Sequence, residues 1–158
     1  MSSSKNAEDV KVICQNKKAR FEYELGDRYE AGIVLVGTEV KSLRLGKANL
    51  VDAYARLEGG EAWLVGAHIS PYDNAHFGNH EPQRRRKLLL KRAELNKLVG
   101  KVTERGLSLI PLKLYFKNGR AKAELALAKG KKLHDKRQSM KEADSKRELS
   151  RQMKELRR

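Results

Sequence analysis

The sequence predicts one small, mostly antiparallel β-barrel with few helices, followed by a basic C-terminal tail. Three observations lead to this fold class. Five or six short runs rich in β-branched and aromatic residues are separated by turn signals, which is typical of antiparallel strands. Two pairs of these runs flank Gly-containing turns and predict hairpins. Beyond Ala128, large apolar residues become sparse and Lys and Arg dominate.

Composition indicates one domain with an appendage and favours a polyanionic partner. The 158 residues carry a formal net charge of +15 with a pI near 10.0, and 35% of them are charged. Such a charge attracts phosphates and releases their counterions. We divide the chain into a flexible N-terminus (residues 1–10), a barrel domain (residues 11–128) and the tail (residues 129–158).

Cysteine content and hydropathy bear on the cellular compartment. Cys14 is the lone cysteine, which excludes an intrachain disulfide and a cysteine-based zinc site. The first residues include no apolar signal region, and no apolar run approaches the roughly 20 residues of a membrane span. The sequence therefore predicts a soluble cytoplasmic protein. The charge alone does not separate DNA, RNA and an anionic membrane as partners, but we expect no membrane partner.

The first two strands are predicted on either side of a turn signal. Apolar and acidic residues alternate over residues 21–25, which is the pattern of a half-buried strand. Gly26-Asp27 follows as a turn. Residues 29–36 (YEAGIVLV) form a continuous apolar run, which predicts a strand buried on both faces.

A short helix is predicted next. Thr38 can serve as its N-cap, and Gly46 provides its end. Such a helix projects Lys41 and Arg44 outward from one small region, with Lys47 beside them.

The middle of the chain predicts a hairpin, a long loop and a helix. Residues 50–57 and 62–69 flank Gly59-Gly60 and form the clearest hairpin. Residues 70–86 carry Pro, Asn and Gly and predict a long loop, a kind of segment that is often functional. Residues 88–105 predict a helix, because apolar residues recur at i, i+3, i+4 and i+7.

A second hairpin closes the domain. Residues 107–116 and 120–128 flank Asn118-Gly119, and Pro111 predicts an edge position or a bulge in the first of these strands. Short strands with few helices favour a small antiparallel barrel over a parallel sheet. Small barrels of the OB type bind nucleic acid on an open face.

Signals for catalysis or a cofactor are missing from the sequence. It contains no phosphate-binding loop, no dinucleotide-binding glycine motif, no HExxH and no serine nucleophile elbow. His76 and His80 share an HxxxH spacing, but they lie in a loop without a cysteine or a second histidine pair. We therefore predict no metal site, no cofactor and no catalytic residue.

Basic residues interleaved with aromatic ones favour nucleic acid. Arg20 lies next to Phe21 and Tyr23, and the long loop carries Tyr72 and Phe77 before a run of three arginines. These residue types supply phosphate contacts and stacking platforms. For any one of them the alternative is ordinary, a solvated arginine or an aromatic residue of the core.

Four ordered blocks resemble the SsrA-binding protein family, also called small protein B. They are QNKKARFEYEL, YEAGIVLVGTEVKSLRLGKANL, RKLLLKRAEL and LYFKNGRAKAELALAKGKKLHDKR, and the resemblance is dense from about Val12 to Arg137. It implies an OB-like barrel with flanking helices in a bacterial, cytoplasmic protein that is not an enzyme. The implied function is binding the tRNA-like part of transfer-messenger RNA. The family delivers this RNA, with elongation factor Tu and GTP, to stalled ribosomes for trans-translation, and we expect a monomer.

The resemblance also assigns RNA-binding residues. By motif it places Asn16, Glu30, Leu89 and Lys122 on the RNA-binding side. A carboxylate repels phosphate, so Glu30 either accepts from a base edge or positions cationic neighbours. For Leu89 the alternative is core packing at the start of a helix. Cations of the two basic clusters complete the expected set: Lys17, Lys18, Arg20, Lys41 and Arg44.

The tail combines a family motif with a helical pattern. The block GKKLHDKR resembles the family's functional motif, which lies at the decoding centre of the small ribosomal subunit, next to the empty messenger channel. Leu149, Met153 and Leu156 follow at i, i+4 and i+7. So few apolar residues cannot offset roughly 1–2 kcal/mol of backbone entropy per residue, and we expect disorder in the free protein and helix on the ribosome. The motif residues are Lys132, His134, Asp135, Lys136 and Arg137, with His134 where many members have tyrosine.

Two other function classes stay open at this point. A general single-stranded nucleic-acid-binding OB-fold protein would bind any single strand with a defined site size. A nucleic-acid-processing enzyme would need a carboxylate or metal constellation, and the sequence offers none.

Overall fold

The computed structural model describes residues 9–76, 78–131 and 133–156. Its strands are β1 (Val10–Gln15), β2 (Tyr23–Ile33), β3 (Ala48–Asn49), β4 (Tyr54–Glu58), β5 (Glu61–Val65), β6 (His68–Ile69), β7 (Arg86–Leu89), β8 (Ser108–Lys117) and β9 (Arg120–Gly130). Its helices are α1 (Ala19–Glu22), α2 (Gly37–Arg44), α3 (Arg92–Arg105) and α4 (Leu133–Leu156). No helix in the described ranges is long and apolar enough to cross a membrane.

The main sheet curves into an OB-like barrel, as predicted. Seven antiparallel strands follow the order β1-β8-β4-β5-β7-β2-β9, and β9 pairs again with β8. The strand pairing is shortest between β4 and β8, where Ala55 with Leu109 is the one residue pair in register. β3 and β6 form a separate two-stranded ribbon.

Inward positions of the strands form the core. Fully buried leucines alternate with outward polar residues along the strands, among them Leu64, Leu114 and Leu125. Leu98 of α3 packs into the same cluster. Burying one such side chain stabilises the fold by about 1.5–3 kcal/mol relative to leaving it exposed.

Both predicted hairpin turns are confirmed. Gly59 and Gly60 join β4 to β5 with φ of 61° and 74°, and Asn118 and Gly119 join β8 to β9 with φ of 50° and 79°. Positive φ at both central residues matches the right-handed twist of the strands and favours Gly and Asn. The register of β8 against β9 shifts between Pro111 and Lys113, which confirms the predicted bulge.

The predicted turn at Gly26-Asp27 is wrong, because β2 runs through it. The register of β2 against β9 shifts between Leu25 and Arg28, so the two residues form a bulge inside one long strand. The expectation of burial on both faces is also wrong. β2 ends at Ile33, and the Val34 and Val36 side chains are 45% and 44% exposed.

Other boundaries also differ from the prediction. Residues 21–22 belong to α1, so β2 begins at Tyr23, and the strand predicted over residues 62–69 is divided into β5 and β6. The strand predicted from residue 50 begins at Tyr54, after a turn in which Asp52 has a φ of 63°. The helix predicted from residue 88 begins at Arg92, because Leu88 and Leu89 belong to β7 and point to opposite faces. Leu88 pairs with Ala62 of β5 in the barrel wall, a long-range contact that outweighs the local helical pattern.

The start of α2 is held by Glu39 and not by Thr38. The Glu39 carboxylate accepts a hydrogen bond from the Val36 N–H at 2.9 Å. It also forms buried ion pairs with Arg84, at 2.6 Å, and with Arg86. Burial alone would raise the pKa of Glu39, but the hydrogen bonds from Arg84, Val36 and Arg86 outweigh burial and lower it.

The long loop is attached firmly at its base. His80 is buried; its Nε2 donates to the Ile69 carbonyl at 2.9 Å, so its Nδ1 accepts from the Thr38 hydroxyl at 2.8 Å. The Asn79 amide exchanges two hydrogen bonds with the backbone of Tyr72. Among the described residues no group of three or more His, Cys, Asp or Glu could hold a metal ion.

Candidate nucleic-acid interface

The outward side chains of β1, β2, β7, β8 and β9 form one continuous surface, which we call the sheet face. Cross-strand partners point to the same side of a sheet. Lys122 of β9 pairs with Tyr115 of β8 and with Gly32 of β2, and Gly32 pairs in turn with Leu89 of β7. Glu30 lies two residues before Gly32, on the same side. The structure therefore brings together Glu30, Leu89 and Lys122, three of the residues predicted to bind RNA.

Leu89 lies outside the core. Its side chain is 52% exposed, and a Cβ added at Gly32 would lie 3.3 Å from the Leu89 Cβ. Glycine at position 32 lets this leucine lie close over the neighbouring strand. Core packing, the alternative considered for Leu89, is wrong.

Glu30 is held by its neighbours on the sheet face. Its carboxylate accepts a hydrogen bond from the Tyr115 hydroxyl at 2.5 Å and lies 3.4 Å from the Lys117 ammonium. The Tyr115 hydrogen bond is the main cause of a lowered pKa at Glu30, with Lys117 and Lys122 adding to it. Burial and the Glu30 charge raise the pKa of Tyr115, which is only 5% exposed, so its hydroxyl remains a donor. The contact with Lys117 agrees with the positioning of a cationic neighbour, one of the two roles considered for Glu30, and its role toward RNA stays a prediction.

A groove of about 400 Å³ extends the sheet face towards α1. Along its wall Glu124 is bridged by Arg28 at 3.1 Å and by Lys113 at 3.2 Å. Asn16 also lines the groove, and its side-chain amide donates to the Pro111 carbonyl at 3.1 Å. This bond anchors the junction between β1 and α1 beside the groove.

The basic cluster at α1 borders the groove and supports the tail. Lys17 and Arg20 line the groove with Phe21, and Lys18 is exposed next to them. The Lys131 backbone N–H donates to the Glu22 carbonyl at 3.0 Å, and its ammonium donates to the Arg20 carbonyl at 2.8 Å. The tail therefore begins at the edge of the same basic surface.

Lys41 and Arg44 lie on a different surface. Both are exposed on α2, which packs against β6 and the long loop, where Ser42 donates to the Ser70 carbonyl. The Lys41 ammonium lies 5.4 Å from the centre of the Tyr72 ring. Lys41 and Arg44 were predicted to bind RNA, but they belong to α2 and not to the strands of the sheet face.

The tail forms helix α4, and two of its described apolar side chains are exposed. The Leu149 and Met153 side chains, predicted on one helical face, are 61% and 62% exposed. Arg147 reaches the groove beside α1. Disorder in the free protein stays a prediction. Lys132 lies outside the described residues, and so do the side chains of His134, Asp135, Lys136 and Arg137, whose backbone belongs to α4.

The sequence reasoning missed five residues of this surface. They share outward positions next to the predicted ones: Arg28, Lys113, Tyr115, Lys117 and Glu124. A signal for some of them was available. A two-residue turn at Asn118-Gly119 pairs Lys117 with Arg120 and Tyr115 with Lys122, so Tyr115 and Lys117 share the side of Lys122.

The OB-like barrel and the sheet face together indicate the class of protein to which the chain belongs. An OB-like barrel that combines cations with aromatic side chains on an outer face has the construction of a nucleic-acid-binding module. The chain belongs to the SmpB protein family, which its residues 13–155 match.

Individual proteins of similar sequence support this family assignment. An SsrA-binding protein of Syntrophobacter fumaroxidans is 61% identical over 92% of this chain and 90% of its own length. That of Thermosynechococcus vestitus is 56% identical over 94% of this chain and 98% of its own. A solved structure described as "tmRNA-SmpB: a journey to the center of the bacterial ribosome" contains a chain that is 50% identical, with a TM-score of 0.64. The match covers 76% of this chain and 85% of that one.

Proposed function

We propose that this protein binds the tRNA-like part of transfer-messenger RNA and brings it to stalled ribosomes for trans-translation. The observation that carries the proposal is the sheet face, where Glu30, Leu89 and Lys122 meet on the outside of an OB-like barrel. It is supported by relatives named SsrA-binding proteins and by a structural neighbour described with tmRNA and the bacterial ribosome.

The chemistry of the sheet face suits a folded RNA. Lys122 and Lys117 contact phosphates, while Glu30 keeps Lys117 in place through its ion pair. Leu89 over Gly32 offers an exposed apolar contact to a sugar or a base. The groove cations Lys17 and Arg20 continue the phosphate track.

The tail and the remaining partners complete this proposal. The motif residues Lys132, His134, Asp135, Lys136 and Arg137 act at the decoding centre, and α4 lies in the messenger channel of the small subunit. Elongation factor Tu with GTP joins through the charged RNA. The protein works as a monomer in the cytoplasm and, as an adaptor, catalyses no reaction. Lys41 and Arg44 provide a second contact with RNA.

A gel-shift titration with a transcript of the tRNA-like part tests the proposal. We expect binding tighter than micromolar and at least tenfold tighter than to an unrelated folded RNA. Lys122→Gln should weaken binding several-fold, because it removes a phosphate contact and its counterion release. Lys97→Gln is the matched control, since it removes the same charge from an exposed position of α3. Micromolar binding without preference would contradict the proposal, and equal affinity for any single strand would favour the general OB-fold alternative.

A further inference from the structure

We propose that Trp63 and Arg85 form a stacking platform for an unpaired base of the RNA that the sheet face binds. The platform consists of Arg56, Trp63, Arg85 and Lys87, on the outside of β4, β5 and the start of β7. This inference rests on the function proposed above, and it adds a base contact to that same surface.

The geometry places a half-buried indole among three cations. Trp63 pairs across the sheet with Arg56 on one side and with Lys87 on the other. The Arg85 guanidinium carbon lies 4.6 Å from the centre of the Trp63 ring. Trp63 points away from the barrel interior and is absent from both hydrophobic clusters of the described residues.

Three ion pairs hold the platform in shape, and one of them joins Arg56 to Glu58 at 3.5 Å. Glu58 and Glu61 lie directly opposite each other in the β4–β5 hairpin, an arrangement that destabilises a sheet unless cations neutralise it. Arg85 lies 2.8 Å from Glu58, and Lys87 lies 2.9 Å from Glu61. Glu58 therefore holds Arg85 and Arg56, and Glu61 holds Lys87, so neither carboxylate presents an unpaired negative charge to an RNA.

Charge and shape favour RNA as the occupant. A guanidinium plane held against an indole is a surface on which bases stack, and Arg56 and Lys87 flank it as phosphate contacts. The platform also continues the sheet face. Lys87 and Leu89 both point outward from β7, and β5 lies two strands from Gly32 of β2, about 10 Å across the sheet.

Trp63 is the only tryptophan of the chain, so its fluorescence reports on this site alone. We expect the emission of the full chain to be quenched by the tRNA-like transcript, with the same midpoint as in the gel shift. Unchanged emission at saturating RNA would overturn the inference and leave the proposed function intact. Quenching by isolated small ribosomal subunits but not by the transcript would also overturn it.

Substitutions separate stacking from charge and from folding. Trp63→Leu and Arg85→Lys should each weaken transcript binding about tenfold, because each removes a planar group on which a base can stack. Arg85→Lys keeps the positive charge, so a loss of affinity in that variant reports on stacking. Trp63→Phe should bind within about threefold of the original chain, since it keeps a ring. Lys97→Gln again serves as the control at an exposed position. Wild-type affinity in Arg85→Lys, with a folded protein by circular dichroism, would refute stacking. Weak, unselective binding by the unmodified chain would instead refute the proposed function.

Discussion

At the scale of single residues, the sheet face illustrates how a carboxylate can belong to a surface that we propose to bind phosphates. Glu30 accepts from Tyr115 and pairs with Lys117, and both contacts oppose its protonation. Tyr115 in turn lies beneath Lys113, whose ammonium is 5.4 Å from its ring. The Glu30 carboxylate is therefore held in place among basic side chains, and the hydrogen bond from Tyr115 sets its orientation.

Replacing Tyr115 with phenylalanine tests this arrangement. The aromatic ring keeps its packing, but Glu30 loses its shortest hydrogen bond. Lys117 then pairs with a carboxylate that is no longer held in place. We expect the free energy of unfolding to fall by about 1 kcal/mol, a modest value because Glu30 is partly solvated. Transcript affinity should fall about threefold or more. Urea unfolding and gel shifts measure the two effects.

Tyr54→Phe supplies the control for that experiment, since Tyr54 is exposed on β4, away from Glu30. Unchanged stability and affinity in Tyr115→Phe would show that the hydroxyl positions nothing of importance.

At the scale of elements, the buried Glu39–Arg86 pair joins α2 to β7. Arg86 is fully buried and also donates to the carbonyls of Ala67 and Pro82. Burial lowers the pKa of Arg86, and the hydrogen bond with Glu39 opposes that effect. One ion pair thus connects a helix, a strand and the base of the long loop.

Glu39→Gln should destabilise the fold by about 3–5 kcal/mol, because it leaves the Arg86 charge buried without its partner. The pH dependence follows from the sign of the shift. Since the folded-state pKa of Glu39 is lowered from 4.5, its charge contributes stability that is fully present above pH 4.5 and is lost as pH falls through the folded-state pKa. Urea unfolding at several pH values should therefore show that the free energy of unfolding falls more steeply at acid pH for the original chain than for Glu39→Gln.

A double substitution distinguishes two causes of destabilisation in Glu39→Gln, the unpaired charge of Arg86 and the loss of packing around Glu39. Glu39→Gln combined with Arg86→Met should be less destabilised than Glu39→Gln alone, since the fully buried charge is gone and the Arg84 charge that stays is partly exposed to water. Equal destabilisation in both variants would show that the charge of Arg86 is not the cause.

At the scale of the whole molecule, the positive charge is divided between the barrel and the tail. Residues 129–158 include twelve Lys or Arg and five Asp or Glu, so the tail contributes about half of the net charge of +15. Its attachment is part of the barrel, because β9 runs to Gly130 and Lys131 bonds to α1. A truncation that spares the barrel therefore ends after Lys131.

We expect the chain ending at Lys131 to keep transcript affinity within about threefold while abolishing peptide tagging on stalled ribosomes. The sheet face stays complete in this variant, and the truncation removes the motif proposed for the decoding centre together with α4, including Arg147 at the groove. Gel shifts and a reconstituted tagging assay measure the two properties. A large loss of affinity would indicate that the tail is mainly an RNA anchor, and normal tagging would refute its proposed role.

Local chemistry by itself determined much of this protein. The Gly59-Gly60 and Asn118-Gly119 turns, the bulge at Pro111, the end of α3 at Gly106 and the excess of positive charge are all visible in the sequence. Each depends on a backbone preference or a charge that neighbouring residues express without the rest of the chain.

The tertiary structure alone decided which side chains share a surface. Leu89 follows an apolar pattern that suits a helix, yet its pairing with Gly32 places it outside on a strand. Glu30 and Tyr115 are 85 residues apart, so no local pattern reports their hydrogen bond. Strand register over such distances depends on core packing of the whole barrel, because a shift by one residue would turn every inward leucine outward.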